Sequence, residues 1–254
     1  LKMTDSIHGM IQGSAKKFPR AAALIEAGSG AREAVYGEFA RLIERFAADL
    51  LRRGLRKAER VGILGRNSIE WAAFYFAVSK AGGISVPFNY TLDIAGRAEE
   101  ARDCGIAALY SDKMSAKKAH KLASRVPSIR FIVDGAPGHD KNCKGVKFPN
   151  VKEDDPASII YTAGTTRKPL GVVLTHKNLI FNSEAVSRYS GLSRRDRTYC
   201  VLPFYYIYGL SLLLSNLSAG ASVIIDNRFM YPRLIADGMK RYRATGFAGV
   251  PSHY

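Results

Sequence analysis

The sequence predicts an α/β fold built in layers, with mostly parallel sheets flanked by helices. Three observations carry this. Short apolar runs such as RVGIL at 60–64 lack polar alternation, as strands buried on both faces do. Stretches with helical spacing of apolar residues stand between these runs. At 158–179 the order strand, loop, strand and helix start is compressed into one segment.

The elements follow in order. Residues 16–25, KKFPRAAALI, read as a helix end, a turn and a strand. The spacing predicts an amphipathic helix over 36–54, with Phe39, Leu42, Ile43, Phe46, Leu50 and Leu51 on one face and Gly54 as its stop. A strand is expected over 60–64, and then a helix capped by Asn67 or Ser68. Trp71, Phe74, Tyr75 and Val78 of that helix turn inward as core residues. Residues 81–87, AGGISVP, lead into another strand. A polar, partly helical stretch covers 91–104. Strands are expected at 107–110 and 129–133, with a helix over 114–125 between them. Residues 135–156 hold turn formers and charges without periodicity and read as a connection. Adjacent Glu153, Asp154 and Asp155 do not face one point, so they read as a solvated turn rather than a metal cluster. Past the central segment, a helix is expected over 179–190, a charged turn at 194–197 and a strand over 198–202 ended by Pro203. A helix over 210–217, a strand over 221–225, a helix over 232–242 and a strand over 245–250 complete the chain. No repeat of fixed period is present.

Composition narrows the class. The chain has 254 residues, 47% of them hydrophobic, enough for a sizeable core. No apolar run reaches about 18 residues, the length of a membrane-spanning helix. No hydrophobic leader segment is visible, so a cytoplasmic location is expected. Leu1 in place of Met, and a close on GVPSHY, read as cut ends. Cys104, Cys143 and Cys200 are scattered, without metal spacing, and are expected as free thiols. The net charge of +16 raises the question of nucleic acid. Between Lys113 and Lys147, nine Lys/Arg face two Asp/Glu, but Phe131 is the one aromatic there. Stacking platforms are therefore lacking, and the stretch reads as a solvated basic face with no specific nucleic-acid partner.

Chemistry concentrates at 158–179, SIIYTAGTTRKPLGVVLTHKNL. Residues 162–171 hold three Thr, two Gly, one Pro and two cations. Backbone N–H groups and hydroxyls in such a loop suit an anion, and Gly lets the backbone approach it. The spacing is not that of a Walker loop, because no Gly-Lys-Thr follows. A plain surface hairpin has the same composition. A second cluster, Phe204, Tyr205, Tyr206 and Tyr208, follows a strand end and precedes Gly209. In α/β sheets ligands bind outside the carboxyl ends of strands, and tyrosines there can line a pocket for an organic acid. A core cluster is the alternative.

Residue order adds a resemblance. YTAGTTRKPLGVVLTH resembles the signature [YF]-T-S-G-[ST]-T-G-x-P-K-G-V…T-H of the AMP-forming acyl-adenylating enzymes. These include acyl-CoA synthetases, peptide-synthetase adenylation domains and luciferases. LPFYYIYG resembles their L-P-x-F-H-x-x-G motif, with Tyr206 at the His position, and GVPS at 249–252 resembles their G-V-P-[ST]. RVGIL…NSIEW…KAGGISVP is similar to their scaffold. The resemblance implies the layered αβαβα large N-terminal domain of that group, here a partial AMP-binding domain over 1–254. It also implies that the rest of that domain and a C-terminal lid lie beyond this sequence, and that the chain alone is inactive.

The implied reaction activates a carboxylic acid, expected to be a fatty acid, with ATP. The acid attacks the α-phosphorus, pyrophosphate leaves, and a CoA or carrier-protein thiol then displaces AMP from the acyl-adenylate. By resemblance, Thr162, Ala163, Gly164, Thr165, Thr166, Arg167, Lys168 and Gly171 hold the phosphates, Gly171 by letting the backbone turn. Thr166 also faces Mg²⁺. Tyr206, Tyr208, Gly209, Gly249, Val250 and Pro251 border the acyl group. Peripheral membrane contact stays open. Three positions depart from the signature: Ala163 for Ser, Arg167 for Gly and Leu170 for Lys. A side chain at a glycine site with positive φ costs about 1 kcal/mol. A lost charge-assisted contact costs about 1.5–3 kcal/mol. A non-catalytic relative that at most binds nucleotide is therefore the alternative function.

Overall fold

The computed structural model describes residues 4–137, 143–162, 170–228 and 231–250. Nineteen helices and strands run in chain order among them. They are α1 (Ile7–Lys17), β1 (Ala22–Glu26), β2 (Arg32–Val35), α2 (Tyr36–Arg52), β3 (Arg60–Leu64), α3 (Ile69–Lys80) and β4 (Ile84–Phe88). Next come α4 (Ile94–Asp103), β5 (Ile106–Ser111), α5 (Ala116–Ala123), β6 (Phe131–Asp134), β7 (Pro156–Thr162), β8 (Leu170–Thr175) and α6 (His176–Tyr189). The last are β9 (Arg197–Cys200), α7 (Ile207–Ser218), β10 (Ser222–Ile225), α8 (Pro232–Arg241) and β11 (Gly246–Ala248). Two compact units divide the chain, one of residues 1–41, 67–69 and 177–254, the other of 42–66 and 70–176.

The second unit holds a six-stranded sheet in the order β6-β5-β3-β4-β7-β8. Every neighbouring pair is parallel except β7 with β8. The apolar runs that lacked alternation are buried along their length: β4 and β5 have no exposed residue. Gly62 of β3 lies between Phe88 and Leu109, and a Cβ there would come within 2.7 and 2.8 Å of them. An aromatic cluster closes one face, with Phe74 stacked on Tyr110 at 4.6 Å and Phe46 edge-on to Phe74 at 5.4 Å. Trp71 is fully buried and stacks on Tyr75, a core role. On α5, Lys117, Lys118 and Lys121 are exposed, a solvated basic face.

The first unit holds the sheet β11-β9-β10-β1-β2, parallel apart from the β1–β2 hairpin. Tyr36 is fully buried there and donates to the Ala221 carbonyl at 2.7 Å. β2 was not foreseen: REAV is four residues long with one fully buried side chain, too short for a period to register. The helix expected from 210 starts at Ile207, and the strand expected to 250 ends at Ala248. The N–H of Ile69, the first residue of α3, donates to the Glu26 carboxylate at 2.8 Å. No helix of the described residues is long and apolar enough to cross a membrane.

Candidate functional site

In the second unit the site is built on the β7–β8 hairpin. Ile159 and Ile160 bury β7 in the sheet, and antiparallel pairing sets Tyr161 opposite Gly171 and Thr162 opposite Leu170. Both ends of the Gly/Thr loop are therefore held in register, and Thr162 stands exposed at its mouth. Ala163, Gly164, Thr165, Thr166, Arg167 and Lys168 lie outside the described residues. Gly171 is a strand residue rather than a turn. A Cβ there would sit 2.9 Å from Ile159 and 3.2 Å from the Tyr161 ring, so the glycine makes room for that ring. Leu170, where the signature has Lys, is 58% exposed.

Tyr161 anchors the entry to the loop. Its hydroxyl donates to the Asp103 carboxylate at 2.5 Å and lies 3.1 Å from the Glu100 carbonyl, tying β7 to α4. Burial, followed by the bond to Asp103, raises its pKa above the ordinary phenol value. Beneath it, Arg97 and Glu100 form a buried ion pair, with the guanidinium over the Phe88 ring. Burial raises the Glu100 pKa against the pull of Arg97. Beyond β8, His176 opens α6 fully buried, and burial lowers its pKa to about 4 despite Asp155 nearby. Its imidazole is neutral at pH 7. Asp155 pairs with Lys57 at 2.9 Å. Burial pushes the Cys104 thiol up to about 11 and that of Cys200 up to about 12, so neither offers a thiolate nucleophile.

In the first unit a second cluster stands at the carboxyl ends of adjacent parallel strands. β9 leads into residues 201–209, and β11, paired with it as Ala248 to Cys200, leads into Gly249 and Val250. The four aromatics divide. Phe204 and Tyr205 are core, whereas Tyr206 and Tyr208 are about half exposed. Tyr208 and Gly209 lie in the first turn of α7. Gly209 is required by close approach, because a Cβ would stand 2.3 Å from the Pro203 carbonyl oxygen. Gly249 is half-buried, Val250 is exposed, and Pro251 lies outside the described residues.

Two features of this end were not singled out from the sequence as site residues. Asn67 binds the motif from outside it. Its side-chain N–H donates to the Leu202 carbonyl and its carbonyl accepts from the Phe204 N–H, each at 2.8 Å. At the end of β10, Asp226 accepts from Arg228 at 2.7 and 2.8 Å and from the Tyr199 hydroxyl at 2.5 Å. Burial opposes its charge, but the bonds from Arg228 and Tyr199 hold the carboxyl below its ordinary range. The one sequence signal was a lone acid directly after an apolar strand. A cavity of about 790 Å³ in this unit is lined by residues of α1, α6 and their neighbours, such as Met10, Ser14 and Arg188, and no motif residue lines it.

Residues 11–254 match the model of the AMP-binding enzymes. The chain belongs to the AMP-binding enzyme family. A 4-coumarate–CoA ligase-like protein of Oryza sativa is 30% identical over 92% of this chain and 44% of its own length. The oxalate–CoA ligase of Arabidopsis thaliana is 30% identical over 98% of this chain and 51% of its own. The N-terminal domain of FACL13 from Mycobacterium tuberculosis superposes with a TM-score of 0.87 at 23% identity, over 98% of this chain and 64% of that one. This likeness shows the shared fold. As an AMP-binding family member, the chain spans about half the length of the curated relatives it matches.

Proposed function

We propose that this chain is the ATP- and acid-binding part of an AMP-forming acid–CoA ligase. The observation that carries the reading is the β7–β8 hairpin, which holds both ends of the Gly/Thr loop in register at an exposed mouth. Thr162 and the backbone N–H groups and hydroxyls of Gly164, Thr165 and Thr166 would bind the β- and γ-phosphates, with charge from Lys168 and Arg167. Mg²⁺ keeps several waters and is held largely by substrate phosphates, so one protein hydroxyl, that of Thr166, suits it. It would supply charge neutralisation at the phosphates. The acid's carboxylate oxygen attacks the α-phosphorus, and the bond to pyrophosphate breaks. A thiol then attacks the acyl carbonyl carbon and releases AMP. Such steps depend chiefly on positioning and on neutralising charge.

Tyr206, Tyr208, Gly249 and Val250 would border an acyl group, for which a fatty acid is our proposal. Their half-exposed rings at the carboxyl edge of the sheet support it. A second reading, a relative that binds nucleotide with weak or no catalysis, is favoured by Leu170. There an exposed apolar side chain stands in place of a cation. ATP–pyrophosphate exchange with a panel of fatty and aromatic acids, run on the protein carrying this chain, tests both. Arg167→Gly with Leu170→Lys is expected to raise exchange by one to two decades, the worth of one charge-assisted contact. Unchanged or lower exchange would show that these positions are not defects.

A further inference from the structure

A cavity of about 380 Å³ lies in the first unit, and none of Tyr206, Tyr208, Gly209, Gly249 and Val250 lines it. Its wall combines Arg32 and Glu33 of β2, Arg197 at the start of β9, and Arg241, Tyr242 and Arg243 at the end of α8. Arg32 is already committed, gripping the Glu26 carboxylate with two nitrogens at 2.8–2.9 Å. The other three guanidinium groups have no carboxylate partner among the described residues. Arg197 makes a long 3.4 Å bond to the Tyr242 carbonyl, and Arg241 lies over the Tyr242 ring at 5.6 Å. With Glu33 as the one remaining carboxylate on the wall, the cavity is left with a net charge of two positives.

Arg243 follows α8 with φ 53°, the left-handed residue of a Schellman stop in which its N–H bonds the Lys240 carbonyl and the Ala244 N–H bonds the Met239 carbonyl. Glycine is the usual residue there, so an arginine carries a modest conformational cost. The turn sets Arg243 on the same wall as Arg241 and Arg197.

We infer that this cavity binds a small soluble phosphomonoester. Such a group carries about −1.5 to −2 charge at pH 7, which matches the unpaired charge of the wall. Planar guanidinium forks grip phosphate oxygens in pairs. Ile25 and the half-buried Tyr242 ring offer an apolar side for the organic part. The chain's +16 charge draws anions toward it.

Phenyl phosphate is a suitable probe, titrated calorimetrically into the whole chain without added metal. Saturable binding is expected. Arg241→Gln with Arg243→Gln should weaken it at least tenfold, while Thr165→Ala with Thr166→Ala leaves it in place. The latter result separates this cavity from the proposed ATP loop. Arg243→Gly separates binding from folding, because it removes the conformational cost together with the guanidinium. The thermal midpoint should rise by roughly 2–4 °C while affinity falls several-fold. Three results would overturn the inference: no saturable binding, binding unchanged in the double arginine variant, or displacement of the probe by a short DNA duplex at lower concentration than phenyl phosphate itself requires.

Discussion

Asn67 satisfies two backbone groups with one side chain, the Leu202 carbonyl and the Phe204 N–H. Both belong to the buried run that leads from β9 into the tyrosine cluster. Water cannot replace a partner there, and each group left unpaired costs about 1–3 kcal/mol. Asn67→Ala is therefore expected to lower unfolding stability by about 2–4 kcal/mol, measured in urea; a loss below about 0.5 kcal/mol would show that the run holds itself. Sequence reading placed Asn67 at a helix start, where Asn is common. Its real partners lie 135 and 137 residues away, a distance no local pattern spans. Asp226 escaped as a site residue for the same reason, since its Tyr199 partner comes from a neighbouring strand. Gly171 and Gly209 were legible as motif glycines but not in their cause. Both serve close packing, one under the Tyr161 ring and the other against the Pro203 carbonyl.

The start of α6 carries a pH-dependent element. His176 is buried at the first residue of the helix, where the helix dipole also disfavours a cation. Its folded pKa of about 4 lies below the unfolded value of about 6.5. The stability contribution is therefore complete above about pH 6.5 and is lost as pH falls through about 4, in full roughly 3 kcal/mol. Urea midpoints at pH 7 and pH 4 should show His176→Gln losing less stability than the parent; equal losses would contradict the assignment. β8 is exposed instead. It is an edge strand with Leu170, Val172 and Val173 about half exposed, a template for pairing between chains. Val172→Thr with Val173→Lys should reduce light scattering on concentration while leaving the circular dichroism spectrum unchanged, and scattering equal to the parent would place the sticky surface elsewhere. At this scale the sequence was largely readable. β3, β4, β5 and β7 are short, mostly apolar runs, and α2 shows a clear stripe. β2 and the first turn of α7 were missed, because four residues hold no period and aromatics beside Gly209 read as loop.

Among the described residues, two sheets, one in each unit, hold the strands, and the two candidate clusters stand at strand ends. That layered α/β plan and the membership in the AMP-binding enzymes were both legible in the sequence, through the resemblance of YTAGTTRKPLG, LPFYYIYG and GVPS to that family's motifs, and residues 11–254 match its model. What order does not determine is the strength of the site, because Arg167 for Gly and Leu170 for Lys move a cation within the loop without changing its net charge. The claim on which the rest depends is that the loop between β7 and β8 binds the phosphates of ATP. Calorimetric titration of Mg·ATP into this chain and into its Thr165→Ala, Thr166→Ala variant measures it directly. The account predicts saturable binding by the parent and at least a tenfold loss of affinity in the variant, the worth of about 1.4 kcal/mol of removed hydrogen bonding. Equal affinity in both chains would contradict it.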